Sequence, residues 1–117
     1  MATILIVDDE EPVRQLVSAV LTDGGHRTLQ AIHGAQALEI IGKERPDLVL
    51  SDVMMPVLSG AELCRRLKAN ADTENMPVIL MSSAGGQSAH GAGCDAFLDK
   101  PFDLENLESL VSRCLAC

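Results

Sequence analysis

Near its N-terminus the chain reads Ile4-Leu5-Ile6-Val7-Asp8-Asp9, four large apolar residues followed at once by two carboxylates. Three further apolar runs, at residues 48–50, 78–81 and 96–98, also end at polar or charged residues. Short continuous runs of this kind are typical of strands that are buried on both faces, as in a parallel sheet. With a weaker strand at residues 27–31, the pattern predicts five strands.

Helical periodicity fills the intervals between these strands. Pro12 fits the first turn of the first helix, and a second helix ends near Gly42. A third helix begins at Ser59 with a Ser-x-x-Glu capping pattern and ends near Asn70. The last helix has Asp103 as its N-cap. The positions expected to face the core are Val13, Leu16, Val17, Val20 and Leu21, then Ala35, Leu38 and Ile41, then Leu63 and Leu67, then Leu104, Leu107, Leu110, Val111 and Leu115. The alternation predicts an α/β fold, a parallel sheet with helices on both faces.

Residues 85–93 depart from this alternation. They lie where a helix should cross from the fourth strand to the fifth, but four of these nine residues are glycine. Each glycine costs roughly 1 kcal/mol relative to alanine inside a helix. We therefore expect the fourth helix to be short, irregular or mobile.

Length and composition exclude several classes of protein. A chain of 117 residues that is 47% hydrophobic suits one domain, residues 1–117. A net charge of −8, with no Trp or Tyr, argues against nucleic-acid binding. The chain has neither a basic signal-peptide region nor the roughly 18 uninterrupted apolar residues of a membrane span. We expect a cytoplasmic protein whose cysteines, Cys64, Cys94, Cys114 and Cys117, are reduced thiols, and whose histidines, His26, His33 and His90, are solvated.

Five polar residues follow the predicted strands, namely Asp8, Asp9, Asp52, Ser82 and Lys100. In an open α/β sheet, the loops after the carboxyl ends of the strands form the ligand crevice, so these residues should converge. Three carboxylates that lie about 4 to 6 Å apart repel by roughly 3 to 4 kcal/mol per pair at an effective dielectric constant near 20. A protonated carboxylate could relieve this repulsion, but a divalent cation does so more directly.

The small number of protein ligands favours Mg²⁺ over Ca²⁺, because it leaves room for water and for phosphate oxygens. Ser82 could then donate a hydrogen bond to a bound anion, and Lys100 could pair with it. Carboxylate, metal, hydroxyl and ammonium groups together suit phosphoryl transfer, in which positioning and charge neutralisation supply most of the catalysis.

In four ordered motifs the chain resembles the receiver domains of two-component signalling. The motifs are ILIVDDE at residues 4–10, DVMMP at residues 52–56 with Gly60 eight residues after Asp52, PVILMSSA at residues 77–84, and FLDKPF at residues 97–102. The resemblance covers essentially the whole chain. It implies a flavodoxin-like, doubly wound sheet with strand order 2-1-3-4-5.

The resemblance also implies a function and a role for each site residue. Asp52 would be the phosphoacceptor, taking a phosphoryl group from the phosphohistidine of a sensor histidine kinase or phosphotransfer protein, or from a small acyl phosphate. Asp8, Asp9, Asp52 and the backbone carbonyl of Met54 would hold Mg²⁺, and Ser82 and Lys100 would bind the phosphoryl oxygens. Such a domain catalyses only its own phosphorylation and dephosphorylation. The family also allows a homodimer.

A conformational switch is part of the same resemblance. Ser82 would move toward the phosphoryl group, and Phe97 would turn into the space that it leaves, which changes a protein-interaction surface. Phe97 lacks the hydroxyl that many relatives have at this position. Met54 and Ala84 stand where relatives often carry polar residues that orient the attacking water, so we expect slow self-dephosphorylation.

Three other interpretations compete with this one. An aspartate-nucleophile phosphatase needs a second Asp two residues after the nucleophile, where this chain has Met54. A nucleotide-binding fold needs glycines after the first strand, where this chain has acidic residues. An interaction module that has lost the chemistry remains open. The sequence leaves the cognate kinase and the downstream target unidentified, and does not separate a stand-alone protein from a module of a longer chain.

Overall fold

The computed structural model describes residues 2–55, 58–82, 95–100 and 103–116. Within them the chain forms five strands and four helices in the order β1 (Thr3–Val7), α1 (Glu11–Asp23), β2 (Arg27–Ala31), α2 (Gly34–Glu44), β3 (Leu48–Asp52), α3 (Gly60–Lys68), β4 (Val78–Ser82), β5 (Ala96–Asp99) and α4 (Leu104–Ala116). All five predicted strands are confirmed. The short, irregular or mobile helix that the sequence predicts between β4 and β5, at residues 85–93, lies outside the described residues, as does Ala84.

The strands form one parallel sheet in the order β2-β1-β3-β4-β5. This confirms the flavodoxin-like order 2-1-3-4-5. The central strands β1, β3 and β4 are buried on both faces, as their continuous apolar runs predict.

Alternate residues of β1, β3, β4 and β5 pack into two separate cores. On one face Ile4 and Ile6 of β1 pack with residues of α1 and α4. On the other face Leu5 and Val7 pack with residues of α2 and α3. The sheet is therefore doubly wound, and both cores support the same set of strand ends.

Three predicted core positions are wrong. Leu16 is 49% exposed, because it lies about 120° around α1 from the midpoint of the buried residues Val17 and Leu21, at 3.6 residues per turn. Ala35 is exposed on α2, where Ala37 is buried in its place. Leu104 is 39% exposed, because it lies in the first turn of α4, before the helix reaches the core at residue 107.

The helix ends follow from local capping. The Ser59 side chain accepts a hydrogen bond from the Glu62 backbone N–H at 3.2 Å, which confirms the predicted N-cap of α3. The Asp103 carboxylate accepts from the Glu105 N–H at 2.9 Å in front of α4.

Two helices end at other residues than predicted. α2 continues two residues past Gly42, because Arg45 provides the left-handed cap, with φ 46°. α3 ends at Lys68, two residues before the predicted end.

Two histidines are more constrained than expected. His33 is the N-cap of α2, and its Nδ1 accepts from the Gln36 N–H at 3.0 Å. His26 is half-buried, and its Nδ1 accepts from the Ala2 N–H at 3.3 Å. Both side chains are partly exposed and neither belongs to the acidic cluster of possible metal ligands, but the Nδ1 atom of each accepts a hydrogen bond from a backbone N–H. His90, Cys94 and Cys117 lie outside the described residues, and none of the described helices is long and apolar enough to cross a membrane.

Candidate functional site

The sheet register brings the carboxyl ends of four strands to one edge. Val7 pairs with Ser51, Asp52 with Met81, and Ser82 with Asp99, so the polar residues that end these strands lie side by side. The Lys100 N–H donates to the Ser82 carbonyl at 2.8 Å, which fixes the backbone just after β5. This edge is the crevice that the sequence predicts.

Four acidic residues meet at this edge. One carboxylate oxygen from each of Asp8, Asp9, Glu10 and Asp52 lies within 4.8 Å of the others. Asp8 and Asp52 are buried, at 0% and 7% exposure, whereas Asp9 and Glu10 are exposed. The structure thus brings together the three predicted carboxylates and adds Glu10. The signal for Glu10 was present in the sequence, because it continues the acidic run that follows β1.

Lys100 supplies the positive charge that faces this cluster. Its Nζ lies 2.8 Å from Asp8 Oδ2, 3.6 Å from Asp52 Oδ2 and 3.8 Å from Glu10 Oε1. Burial by itself would lower the pKa of Lys100, but the hydrogen bond and the charge of Asp8, with further help from Asp52 and Glu10, raise it overall. Lys100 is therefore a fixed cation, and it neutralises one of four carboxylates.

Opposing effects act on the Asp52 carboxylate. Burial raises the pKa of Asp52, Lys100 lowers it, Asp8 and Asp9 raise it, and a hydrogen bond from the Met54 backbone N–H lowers it. The net direction is upward. Ionised Asp52 is thus held at a cost that a further positive charge would relieve.

Asp8 is held by its own turn as well as by Lys100. Its Oδ1 accepts from the Glu10 N–H at 2.9 Å, and its N–H donates to the Ala31 carbonyl at 3.1 Å. The hydrogen bond from Lys100 to Oδ2 occupies the second oxygen. Both carboxylate oxygens of this fully buried residue therefore have a donor.

Gly60 is required by close packing against the nucleophile candidate. A Cβ atom at this position would collide with the backbone carbonyl of Asp52. The Gly60 N–H also donates to the Val53 carbonyl at 2.9 Å. The glycine of the second motif therefore lets the N-terminus of α3 pack directly on the end of β3.

The remaining predicted residues lie around this cluster. Ser82 is buried at the end of β4. Phe97 is partly buried on the α2–α3 face, where it is the register partner of Leu80, two residues before Ser82 on that same face. The Met54 side chain is 67% exposed beside the site, and the predicted metal role of its carbonyl stays a prediction.

Comparison with known proteins agrees with this geometry. The family model for the response regulator receiver domain matches residues 4–112. Sporulation initiation phosphotransferase F of Bacillus subtilis is 40% identical over 116 residues, which cover 96% of this chain and 92% of that protein. The chain spans about half the length of other curated relatives that it matches.

Solved structures agree equally well. A receiver domain of a signal transduction histidine kinase from Syntrophus aciditrophicus superposes with a TM-score of 0.94 at 33% identity, over 99% of this chain and 91% of that one. A receiver domain of a sensor histidine kinase from Pseudomonas aeruginosa, with a magnesium ion coordinated in its active-site cleft, superposes with a TM-score of 0.92 at 27% identity, over 99% and 98%. The four motifs, the strand order and the acidic crevice thus lead to one conclusion: this chain belongs to the response regulator receiver domains of two-component signalling.

Proposed function

We propose that Asp52 accepts a phosphoryl group from the phosphohistidine of a sensor histidine kinase or a phosphotransfer protein, or from a small acyl phosphate, with Mg²⁺ as cofactor. The observation that carries this proposal is the buried Asp52 carboxylate, set among three other carboxylates and facing Lys100 at 3.6 Å. Family membership gives the reaction its class, and the similarity to a phosphotransferase supports a phosphohistidine donor.

The residues at the strand ends fit a magnesium ion. Four carboxylates against one ammonium leave an excess of negative charge, and oxygen is the ligand that Mg²⁺ prefers. Asp8, Asp9, Asp52 and the Met54 carbonyl would hold the ion. When bound, Mg²⁺ supplies positive charge that stabilises the transferring phosphoryl group. A similar receiver domain holds magnesium in its active-site cleft, which supports this assignment.

Phosphoryl transfer follows from the chemistry of Asp52. A carboxylate oxygen of Asp52 attacks the phosphorus atom, and the bond from phosphorus to the imidazole nitrogen breaks with its electron pair remaining on nitrogen. The product is an acyl phosphate on Asp52. Lys100 pairs with the phosphoryl oxygens and Ser82 donates a hydrogen bond to them, because both lie at the same edge of the sheet.

The output of this reaction is a change in packing on the α2–α3 face. Ser82 moves toward the phosphoryl group, and Phe97 turns further into the core beside Leu80. The surface that changes would bind a downstream target, and a second copy of the chain is one partner that the family allows. We propose that residues 1–117 form one cytoplasmic receiver unit that catalyses only its own phosphorylation and dephosphorylation.

Phosphorylation by acetyl phosphate, read by intact mass with and without MgCl₂, tests the proposal directly. The wild type should gain one phosphoryl group only with MgCl₂, and Asp52→Asn should gain none. Asp23→Asn, which changes an exposed carboxylate at the end of α1, is the matched control and should behave as the wild type. No adduct, or an adduct that survives Asp52→Asn, would instead favour an interaction module without this chemistry.

A further inference from the structure

Arg14 connects the first turn of α1 to the ends of two strands. Its Nη1 donates to the Asp8 backbone carbonyl at 2.8 Å, and its Nε donates to the Gln30 side-chain Oε1 at 3.1 Å. Gln30 lies on the edge strand β2, opposite Ile6 of β1. One half-buried guanidinium group therefore ties α1, β2 and the turn after β1 together.

The contact with the Asp8 carbonyl acts on two candidate metal ligands at once. This carbonyl belongs to the peptide group that joins Asp8 to Asp9, and a peptide group is planar. Fixing its oxygen therefore fixes the direction in which the backbone enters Asp9. The Asp8 carboxylate has its own donors, Lys100 and the Glu10 N–H. The Glu10 bond closes a turn across this peptide group, and the bond from Arg14 adds a second restraint, on the carbonyl oxygen itself.

We propose that Arg14 is a positioning residue for the divalent-cation site, holding the Asp8–Asp9 peptide so that both carboxylates face the same ion. This inference rests on the proposed function, since it assumes that Mg²⁺ binds at this edge. Groups that orient metal ligands without touching the metal commonly change metal affinity by about 10- to 100-fold. An arginine suits this role because its rigid fork reaches two acceptors in one geometry.

Charge and positioning predict opposite effects when Arg14 is replaced. Arg14 is a cation close to a cation site, so the loss of its charge alone should tighten Mg²⁺ binding. Loss of the two hydrogen bonds should weaken Mg²⁺ binding, because the ligands are no longer pre-oriented. The sign of the change in Mg²⁺ affinity therefore separates the two roles.

The experiment compares Mg²⁺ dissociation constants, measured by titrating MgCl₂ and following backbone amide resonances of the folded protein. We expect Arg14→Met to weaken binding about tenfold, and Arg14→Lys to give an intermediate value, since lysine keeps the charge and loses the fork. Gln30→Met should weaken binding less than Arg14→Met, and should add little in the Arg14→Met background. Arg27→Met is the matched control, because Arg27 is exposed at the opposite end of β2 and should leave Mg²⁺ affinity unchanged.

Two results would overturn the inference while leaving the proposed function intact. The first is a wild type that binds Mg²⁺ and an Arg14→Met protein that binds it equally well or more tightly, even if its urea midpoint falls. The second is weakened binding in Arg27→Met equal to that in Arg14→Met. A wild type that shows no Mg²⁺ binding at this edge contradicts the proposed function itself. If Arg14→Met does not fold, Arg14→Lys and Gln30→Met carry the same comparison.

Discussion

Asp52 must meet two conflicting requirements. Burial at the end of β3 shields it from water, and the neighbouring carboxylates of Asp8 and Asp9 oppose its ionisation. To act as the proposed nucleophile Asp52 must nevertheless be ionised, and Lys100 and the Met54 N–H only partly offset the cost of ionisation. The excess of negative charge at this site is therefore unfavourable, and a bound cation would relieve it.

The raised pKa of Asp52 predicts a pH-dependent gain of stability in Asp52→Asn. The folded protein binds the Asp52 carboxyl proton more tightly than the unfolded chain does. Protonation of Asp52 therefore stabilises the fold fully at pH values below 3.8, the ordinary pKa of Asp, and this stabilisation is lost as the pH rises through the pKa of Asp52 in the folded protein. In EDTA at pH 7, Asp52→Asn should be more stable than the wild type by roughly 1 to 2 kcal/mol. The difference should shrink as the pH approaches 4.

Urea unfolding followed by circular dichroism at both pH values measures this difference. MgCl₂ should stabilise the wild type more than Asp52→Asn, because the ion binds the folded state of the wild type more tightly. Equal stability of the two proteins at pH 7 in EDTA would contradict the prediction.

The exposed Met54 side chain predicts a long-lived phosphorylated state. Met54 offers no polar group to orient a water molecule toward phosphorylated Asp52, although it lies beside the site at 67% exposure. Met54→Asn should raise the rate of self-dephosphorylation by up to about tenfold. This gain is smaller than that from a general acid or base, because asparagine orients the water and takes no proton from it. The decay of the phosphorylated mass after removal of acetyl phosphate gives the rate. Leu16→Asn, which changes another exposed apolar side chain, should leave the rate of self-dephosphorylation unchanged.

At the level of elements, the connection from β3 to α3 fixes the backbone of Asp52, the proposed nucleophile. α3 begins at Gly60, whose backbone lies against the Asp52 carbonyl, and the Ser59 cap sets the direction in which the helix starts. A helix that starts so close to a strand end leaves no room for a side chain at its first residue. The position of the Asp52 backbone therefore depends on packing between two elements.

Gly60→Ala and Gly42→Ala should change stability in opposite directions. A methyl group on Gly60 collides with the Asp52 backbone, so Gly60→Ala should destabilise the fold by roughly 1 to 3 kcal/mol and slow phosphorylation. A Cβ atom on Gly42 meets nothing within 4 Å, and Gly42→Ala in α2 should stabilise it by about 0.5 to 1 kcal/mol. Urea midpoints of the two variants test this, and a shift of the same sign in both would refute the packing argument.

At the level of the whole molecule, the sheet links the acidic edge to the α2–α3 face. Ser82 ends β4 at the site, and Phe97 lies on the neighbouring strand, packed on the core cluster that includes Leu80. Movement of a buried side chain at the strand end therefore has a direct route to a partly buried aromatic ring. Since well-packed interiors tolerate few intermediate arrangements, the ring should occupy one of two positions.

Fluorine NMR of fluorinated phenylalanine should report this change, since the chain has two Phe residues. The Phe97 resonance, assigned with Phe102→Leu, should shift when acetyl phosphate and MgCl₂ are added. The shift should be absent in Asp52→Asn, which lacks the proposed phosphoacceptor. It should be reduced in Ser82→Ala, which removes the hydroxyl that the proposed switch moves. An unshifted Phe97 resonance in a fully phosphorylated wild type would contradict the proposed switch.

The amino-acid sequence was sufficient for the sheet and for most of the acidic site. Continuous apolar runs such as residues 4–7 have one stable environment, a strand covered on both faces, and parallel strands bring their carboxyl ends to one edge. The positions of Asp8, Asp52 and Lys100 after predicted strands are therefore enough to group them at one site. The capping residues Ser59 and Asp103 were equally readable, because a cap is a local interaction.

Only the tertiary structure decided which helical positions are buried and which distant groups support the site. Leu16 and Leu104 fit an apolar helical stripe but are exposed, because burial depends on where each helix meets the sheet. The link from Arg14 to Asp8 and Gln30 joins residues on three elements, and no local pattern encodes it. Local periodicity and capping thus set the elements and the strand-end chemistry, whereas the contacts that orient this chemistry arise from packing between elements that are distant in the chain.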